Sequence, residues 1–233
     1  MKAMLLAAGR GERLRPLTDQ RPKPLLEVGG KALIVWQLEN LRRAGVTEVV
    51  VNLAWLGEQI EQLLGDGSRW GLRVQYSPEP PAALETAGGI RQALALLGDA
   101  PFILANADVW TRFDFSTLPA APDGLAYLVL VPNPEHHPQG DFALEAGQVN
   151  DHGSPRFTYA GVGVFSPKLF AAIAPGARAP LAPLLRAAMA RGEVSGEVFD
   201  GAWIDVGTVL RLEMANLAAA ALADSGAPGG ANL

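Results

Sequence analysis

Apolar residues at positions 4–7 form a short run halted by Gly9, the pattern of a strand buried on both faces of a parallel sheet. A loop without helical periodicity follows to about Gly30. Over residues 32–44, Ile34, Leu38 and Leu41 then recur on one helical face, and Gly45 supplies the stop. Residues 49–53 read as a second buried strand. Leu56, Ile60, Leu63 and Leu64 restore the helical spacing, and residues 72–76 give a third strand. Thr86 is placed to cap a helix running to about Leu97, and residues 101–105 lead a fourth strand into Asn106, Ala107 and Asp108. This alternation predicts an α/β fold, a three-layer α/β/α sandwich around a mostly parallel, Rossmann-like sheet.

Beyond Asp108 the texture changes. Residues 126–131, 142–144 and 157–165 read as strands, and helices are expected at 167–173 and 183–191. Short strands follow at 194–199 and 202–205, and a last helix starts at Thr208 and ends near Ala223. Residues 224–233 are small, polar and glycine-rich, the composition of a disordered tail. No internal repeat is visible. The expected organisation is a single domain over residues 1–223, with one half to about residue 112 and a second from about 113 to 207.

Composition narrows the function. The chain of 233 residues carries a net charge of −5, yet Arg10, Arg13, Arg15, Arg21 and Lys23 crowd one short stretch. A local basic patch on an acidic chain suits a small anionic ligand and argues against nucleic acid as a partner. With no cysteine, disulfides, thiolate nucleophiles and cysteine zinc sites are excluded. No run approaches the roughly 18 apolar residues of a spanning helix, and no leader pattern precedes the first strand, so a cytoplasmic protein off the membrane is expected.

Ala7, Ala8, Gly9, Arg10, Gly11, Glu12 and Arg13 follow the first strand directly, where backbone amides can converge on phosphate oxygens. The dinucleotide fingerprint fails, because Leu14 stands where its third glycine belongs and the second strand ends at Asn52 and Leu53 without a ribose-binding acid. The P-loop pattern fails as well, since no lysine followed by Ser or Thr closes the glycines. Prolines on both sides of Lys23 stiffen the backbone and aim its ammonium. Gly9, Gly11, Arg13, Leu14, the Pro16, Leu17, Thr18 triplet and the Pro22, Lys23, Pro24, Leu25 quartet together resemble, in order and spacing, the N-terminal signature of the sugar nucleotidyltransferases.

That resemblance implies a nucleotide-binding half before residue 112 and a sugar-phosphate-binding half after it. It implies that Ala8, Gly9, Gly11, the Glu12 backbone and Arg13 hold the triphosphate, with Arg13 and Lys23 as catalytic groups and Lys23 on the reacting phosphate. Residues 84–90 resemble the family's base- and ribose-binding segment, which assigns Thr86, Ala87 and Gly88 to the nucleotide, with Ser77 at the base edge.

Two aspartates complete the expected chemistry. Asp108 closes a central strand, in the crevice where α/β sheets bind ligands, and Asp205 ends another strand ahead of Gly207 and Thr208. Two carboxylates from distant strand ends can hold Mg²⁺, whose other positions go to water and substrate phosphates. In the family, aspartates at these places are the magnesium ligands. One departure is Ala107, where relatives have glycine; if that position needs φ > 0, alanine strains it by roughly 1 kcal/mol.

On the acceptor side, Asn106, Asp141 and Gly161 are the residues expected at the sugar phosphate. Asn133 to Phe142 and Tyr159 to Val162 resemble acceptor-binding stretches of bacterial family members that uridylylate N-acetylmuramic acid 1-phosphate in cell-wall recycling, and this likeness runs to about Leu222. His136 and His137 are neighbours in a proline-bounded loop and read as solvated, with diverging side chains. The glutamate, lysine, proline triplet of many relatives is absent, with Pro155, Arg156 and Phe157 in that region, which implies an acceptor other than glucose 1-phosphate. The resemblance thus implies UTP and a sugar 1-phosphate as substrates. Alternatives are a GTP and mannose 1-phosphate pair, a noncatalytic nucleotide-sugar-binding module, or a glycosyltransferase. The oligomeric state stays open, a monomer being the favoured expectation.

Overall fold

The computed structural model describes residues 1–80 and 84–224. In chain order its elements are β1 (Lys2–Leu6), α1 (Leu17–Gln20), β2 (Glu27–Val28), β3 (Lys31–Ala32), α2 (Leu33–Arg43), β4 (Glu48–Leu53), α3 (Gly57–Leu64), β5 (Arg73–Pro78) and α4 (Glu85–Leu97). They continue with β6 (Phe102–Asn106), β7 (Val109–Thr111), β8 (Ala126–Val131), β9 (Phe142–Glu145), β10 (Gln148–Asn150), β11 (Arg156–Phe165), α5 (Leu181–Met189), β12 (Val194–Val198), β13 (Trp203–Asp205) and α6 (Val209–Asp224). Single 3-10 turns at Glu12–Leu14 and Lys23–Leu25 shape the basic loop.

Nine strands form one sheet in the order β5-β4-β1-β6-β11-β8-β12-β10-β9, with β9 also pairing β11. The first four are mutually parallel, as crossover helices α2, α3 and α4 require. The mostly parallel sheet expected from sequence is corrected at β11, which runs antiparallel to β6, β8 and β9, while β10 runs antiparallel to β9 and β12. Only β8 and β12 are parallel in this half, and the connection between them carries α5. The sheet is therefore mixed. The physical cause is that no crossover helix separates β8, β9, β10 and β11, so direct returns set the pairing.

Alternation along the parallel strands assigns residues to two layers. Ala3, Leu5, Val49, Val51, Ile103 and Ala105 meet α2 and α3 through Ile34, Leu38, Leu41, Ile60 and Leu64. Met4, Val50, Phe102 and Leu104 face α4 and α5 through Ile90, Leu97, Leu185 and Met189. A third cluster lies at the sheet's end, where Leu14, Leu26, Val28 and Leu33 from the N-terminal stretch pack with Trp110 of β7, Val206, and Ala215 and Ala219 of α6. This cluster fastens the basic loop to the last helix.

Some local expectations change. Thr86 is the second residue of α4 and not its cap; Leu84 precedes the helix without a side-chain bond, and the N–H groups of Ala87 and Gly88 donate to Ala179 O at 2.9 and 3.1 Å. A distant backbone segment thus satisfies the helix start. The helix expected at 167–173 is a 3-10 turn at Pro167–Phe170, and α5 begins at Leu181, ahead of Pro183. Thr208 does cap α6, its Oγ1 accepting from Arg211 N at 3.3 Å. The expected tail lies outside the described residues apart from Asp224, which closes α6.

Candidate active site

The basic loop leaves β1 at the carboxyl edge of the parallel strands. Gly11 has φ +68°, and a Cβ there would lie 3.0 Å from Thr18 Cγ2 and 3.1 Å from Lys23 Cβ. Its freedom is needed both for the turn and for the lysine stem that crosses it. Thr18 Oγ1 donates to Gly11 O at 2.9 Å and Leu14 N donates to the same oxygen at 2.9 Å, so the loop is braced from within. Among the described residues, the N–H groups of Gly9, Arg10, Gly11, Glu12 and Arg13 have no protein acceptor. Five consecutive unclaimed donors beside a strand end form an anion cradle. A Cβ on Gly9 would meet nothing within 4 Å, so its side of the loop is open.

Lys23 is only 8% exposed. Its Nζ is ion-paired with Asp108 Oδ2 and lies 3.8 Å from Asp205 Oδ1, placing one ammonium between the two carboxylates. The aspartates meet because β7 and β13 pair antiparallel, with Asp205 opposite Val109 and Val206 N donating to Asp108 O at 3.1 Å. That ribbon was only half visible in sequence, since Val109–Thr111 was not recognised as a strand. Ala107 is fully buried, donates its N–H to Leu6 O at 3.1 Å and is not among the positive-φ residues. The strain anticipated for alanine at this position is therefore not present.

Two hard carboxylates on adjacent backbones, with a single ammonium between them that leaves net negative charge, suit Mg²⁺. Among the described residues no group of three or more His, Asp or Glu side chains gathers around one point, so substrate oxygens and water would complete such a site.

Arg211, overlooked in the sequence, adds a second cation to the aspartate pair. It is 8% exposed, its Nη1 lies 3.1 Å from Asp205 Oδ2 and also contacts His136 Nε2, and its buried Nε has no partner. A Cβ on Gly207 would collide with Arg211 Nη2 and sit 3.1 Å from Arg13 Nη2, so this glycine lets two guanidinium groups converge beside Asp205. His136 is not merely a solvated loop residue. Burial, then the Arg211 charge, hold its imidazole below the ordinary histidine value, which keeps Nε2 free to accept from Arg211. The available signal was the single basic residue of a mostly apolar helix, three residues past a threonine cap.

On the proposed base side, Asn52 links three elements. Its Oδ1 accepts from Ala7 N at 2.8 Å and its Nδ2 donates to Glu79 Oε1 at 2.6 Å; Glu79 Oε2 accepts from Leu84 N at 3.2 Å. Ser77 is buried in β5 opposite Asn52. The glycines of α4 have steric reasons inside the protein: a Cβ on Gly88 would strike Ala177 O, and one on Gly89 would strike the Glu79 carboxylate. Of Thr86, Ala87 and Gly88, a crossing backbone already uses the amides of the last two. Arg10 lies 4.2 Å over the Trp55 ring, whose Nε1 donates to Thr18 O at 2.9 Å.

Among the residues expected at the acceptor, Gly161 has φ +73° and a Cβ there would lie 2.7 Å from Asn106 Cγ, so these two are brought together at a bulge in β11. Asp141 stands apart with both oxygens engaged, accepting from Tyr159 N at 2.8 Å and meeting His137 Nε2 at 3.0 Å. In this state it orients backbone and imidazole.

Three comparisons bear on this geometry. The profile of the nucleotidyl transferase family matches residues 2–140. The chain is 52% identical over 229 residues to an N-acetylmuramate alpha-1-phosphate uridylyltransferase of Neisseria meningitidis serogroup B, covering 95% of this chain and 99% of that one. It is 38% identical to a protein of the same description from Caulobacter vibrioides, over 88% and 91% of the two chains, and 32% identical to the mannose-1-phosphate guanylyltransferase catalytic subunit beta of Dictyostelium discoideum, over 89% and 61%. A crystal structure described as a glucose-1-phosphate thymidylyltransferase of Bacillus anthracis superimposes with a TM-score of 0.81 over 94% of this chain and 95% of that one, at 21% identity. It shares the fold.

Proposed function

The chain belongs to the nucleotidyl transferase family as a sugar-1-phosphate nucleotidyltransferase, and we propose that it joins UTP to N-acetylmuramic acid 1-phosphate, releasing pyrophosphate, as a Mg²⁺-dependent step in peptidoglycan recycling. The observation that carries the transfer chemistry is the cradle of five unclaimed amides beside Lys23, Asp108 and Asp205. The identity to the Neisseria and Caulobacter proteins supports this donor and acceptor.

In the reaction, an oxygen of the acceptor phosphate forms a bond to the α-phosphorus of UTP. The bond from that phosphorus to the oxygen bridging toward the β-phosphate breaks, and pyrophosphate leaves. The attacking phosphate is ionised at neutral pH, so no general base is required. The protein positions two polyanions and offsets their repulsion. The loop amides and Arg13 hold the triphosphate, and Lys23 neutralises the reacting phosphate. Asp108 and Asp205 would hold Mg²⁺, which would offset negative charge as the bond to phosphorus changes hands. Arg211 and His136 border the acceptor, where the positioned guanidinium charge suits a sugar bearing a carboxylate besides its phosphate.

A pyrophosphate-release screen crossing UTP, GTP, CTP, ATP and dTTP with several sugar 1-phosphates tests the pairing. UTP with N-acetylmuramic acid 1-phosphate is expected to give the highest kcat/KM; a higher value for GTP with mannose 1-phosphate would overturn the assignment. Asp108→Asn is expected to lower kcat on the order of 10³-fold with unchanged circular dichroism. Full activity of that variant with Mg²⁺ as sole divalent ion would remove Asp108 from the proposed metal site.

A further inference from the structure

Helix α6 carries its larger apolar side chains on the side facing water. Toward the core it presents Ala215 and Ala219, both buried, with Leu212 and Ala218 at the margin. Toward solvent it presents Val209, Leu210, Met214 and Leu217, exposed by 42, 66, 49 and 72%. These are four of the six exposed large hydrophobic residues among the described residues, so such surface is concentrated on one helix and not scattered. Leu210, Met214, Leu217 and Ala221 succeed one another at helical spacings of four, three and four, which lines them along one straight seam. Between Val209 and Leu222, Glu213 is the one charged side chain the helix exposes. An exposed apolar stripe concentrated on one helix is ordinarily an interaction surface.

The chemistry of the seam narrows what covers it. A membrane-surface helix borders its apolar face with lysine and arginine, and this exposed face has neither. Residues 225–233 contain a single large apolar residue, Leu233, among Ser, Gly, Ala, Pro and Asn, too little to cover four side chains. A second copy fits because the seam is self-complementary. With two α6 helices antiparallel about a two-fold axis passing between positions 214 and 217, Met214 meets the partner's Leu217 and Leu210 meets the partner's Ala221. Ala220 and Ala221 keep the outer turns thin enough for helix axes to approach to about 8–10 Å. The four larger side chains present roughly 400 Å² on each copy, and with their rims two copies reach the about 1,000 Å² of a specific but modest interface.

We propose that α6 is the isologous interface of a reversible homodimer. This replaces the monomer favoured from sequence and is independent of the substrate assignment. The test is sedimentation velocity on the full chain over a rising concentration series. The wild type is expected to move from the 24.5 kDa monomer toward twice that mass. Leu210→Glu with Leu217→Glu is expected to stay monomeric, with unchanged circular dichroism, melting temperature and turnover in dilute solution. Should that double variant fold poorly, Met214→Lys and Leu217→Glu are made separately. Each is expected to be monomeric alone, and a mixture of the two to dimerise, because the new charges face each other across the axis. The proposal is overturned by a wild type that stays monomeric throughout, including one that instead floats with phosphatidylglycerol vesicles. It is equally overturned by a dimer indifferent to these substitutions.

Discussion

The residue that most changes the reading of the site is Arg211. Its guanidinium is held by Asp205 and His136 beside the Lys23–aspartate cluster, so its charge is fixed in place. Arg211→Lys is expected to lower kcat/KM for an acceptor bearing a carboxylate by roughly 10- to 100-fold, the scale of one charge-assisted hydrogen bond, and to affect N-acetylglucosamine 1-phosphate much less. Steady-state kinetics on the two acceptors measures this. His136 sets a pH limit on the same arrangement. Because its folded value is depressed, the unfolded chain takes up the proton first as pH falls, so its stabilising effect is present above about pH 6.5 and is lost as pH drops through the folded value. Once protonated, Nε2 no longer accepts from Arg211. His136→Gln, which retains an acceptor without a charge, is expected to flatten the acid side of the acceptor-KM profile relative to wild type.

Elements explain which parts of the site could be read in advance. The basic loop, Lys23 and both aspartates lie in contiguous motifs at strand ends, so local pattern sufficed to place them. The β7–β13 ribbon that joins the aspartates is three residues per strand and pairs positions almost a hundred apart, beyond the reach of periodicity. The start of α4 misled for a related reason: Thr86 has the chemistry of a cap, but the Ala179 carbonyl takes that place from across the molecule. The Asn52 and Glu79 brace was invisible because each residue is unremarkable within its own strand. It ties the first residue of the basic loop to β4 and to the lead-in of α4. Glu79→Ala would leave the buried Asn52 amide without that acceptor, at about 2 kcal/mol, and lower Tm by about 4–8 °C. A raised KM for UTP with near-normal KM for the acceptor is expected alongside. An equal rise for both substrates would refute the assignment of the brace to the nucleotide side.

At the scale of the whole molecule, the two halves share one sheet but obey different rules. The parallel half follows from alternating strands and helices, whereas the mixed half follows from returns whose direction no single segment encodes. None of the described helices is long and apolar enough to cross a membrane. The third cluster has a temporal consequence. Leu14, Leu26, Val28 and Leu33 pack against Val206, Ala215 and Ala219, which lie far along the chain from them. The apolar underside of the basic loop is therefore closed only once α6 has been made and docked. Contacts of such long sequence separation form late and slowly. A chain ended after residue 207 is expected to retain sheet-like far-UV circular dichroism while losing UTP binding by calorimetry; undiminished binding would break this link. A nascent chain that has not yet added α6 would thus carry the basic loop without the support that holds it in place.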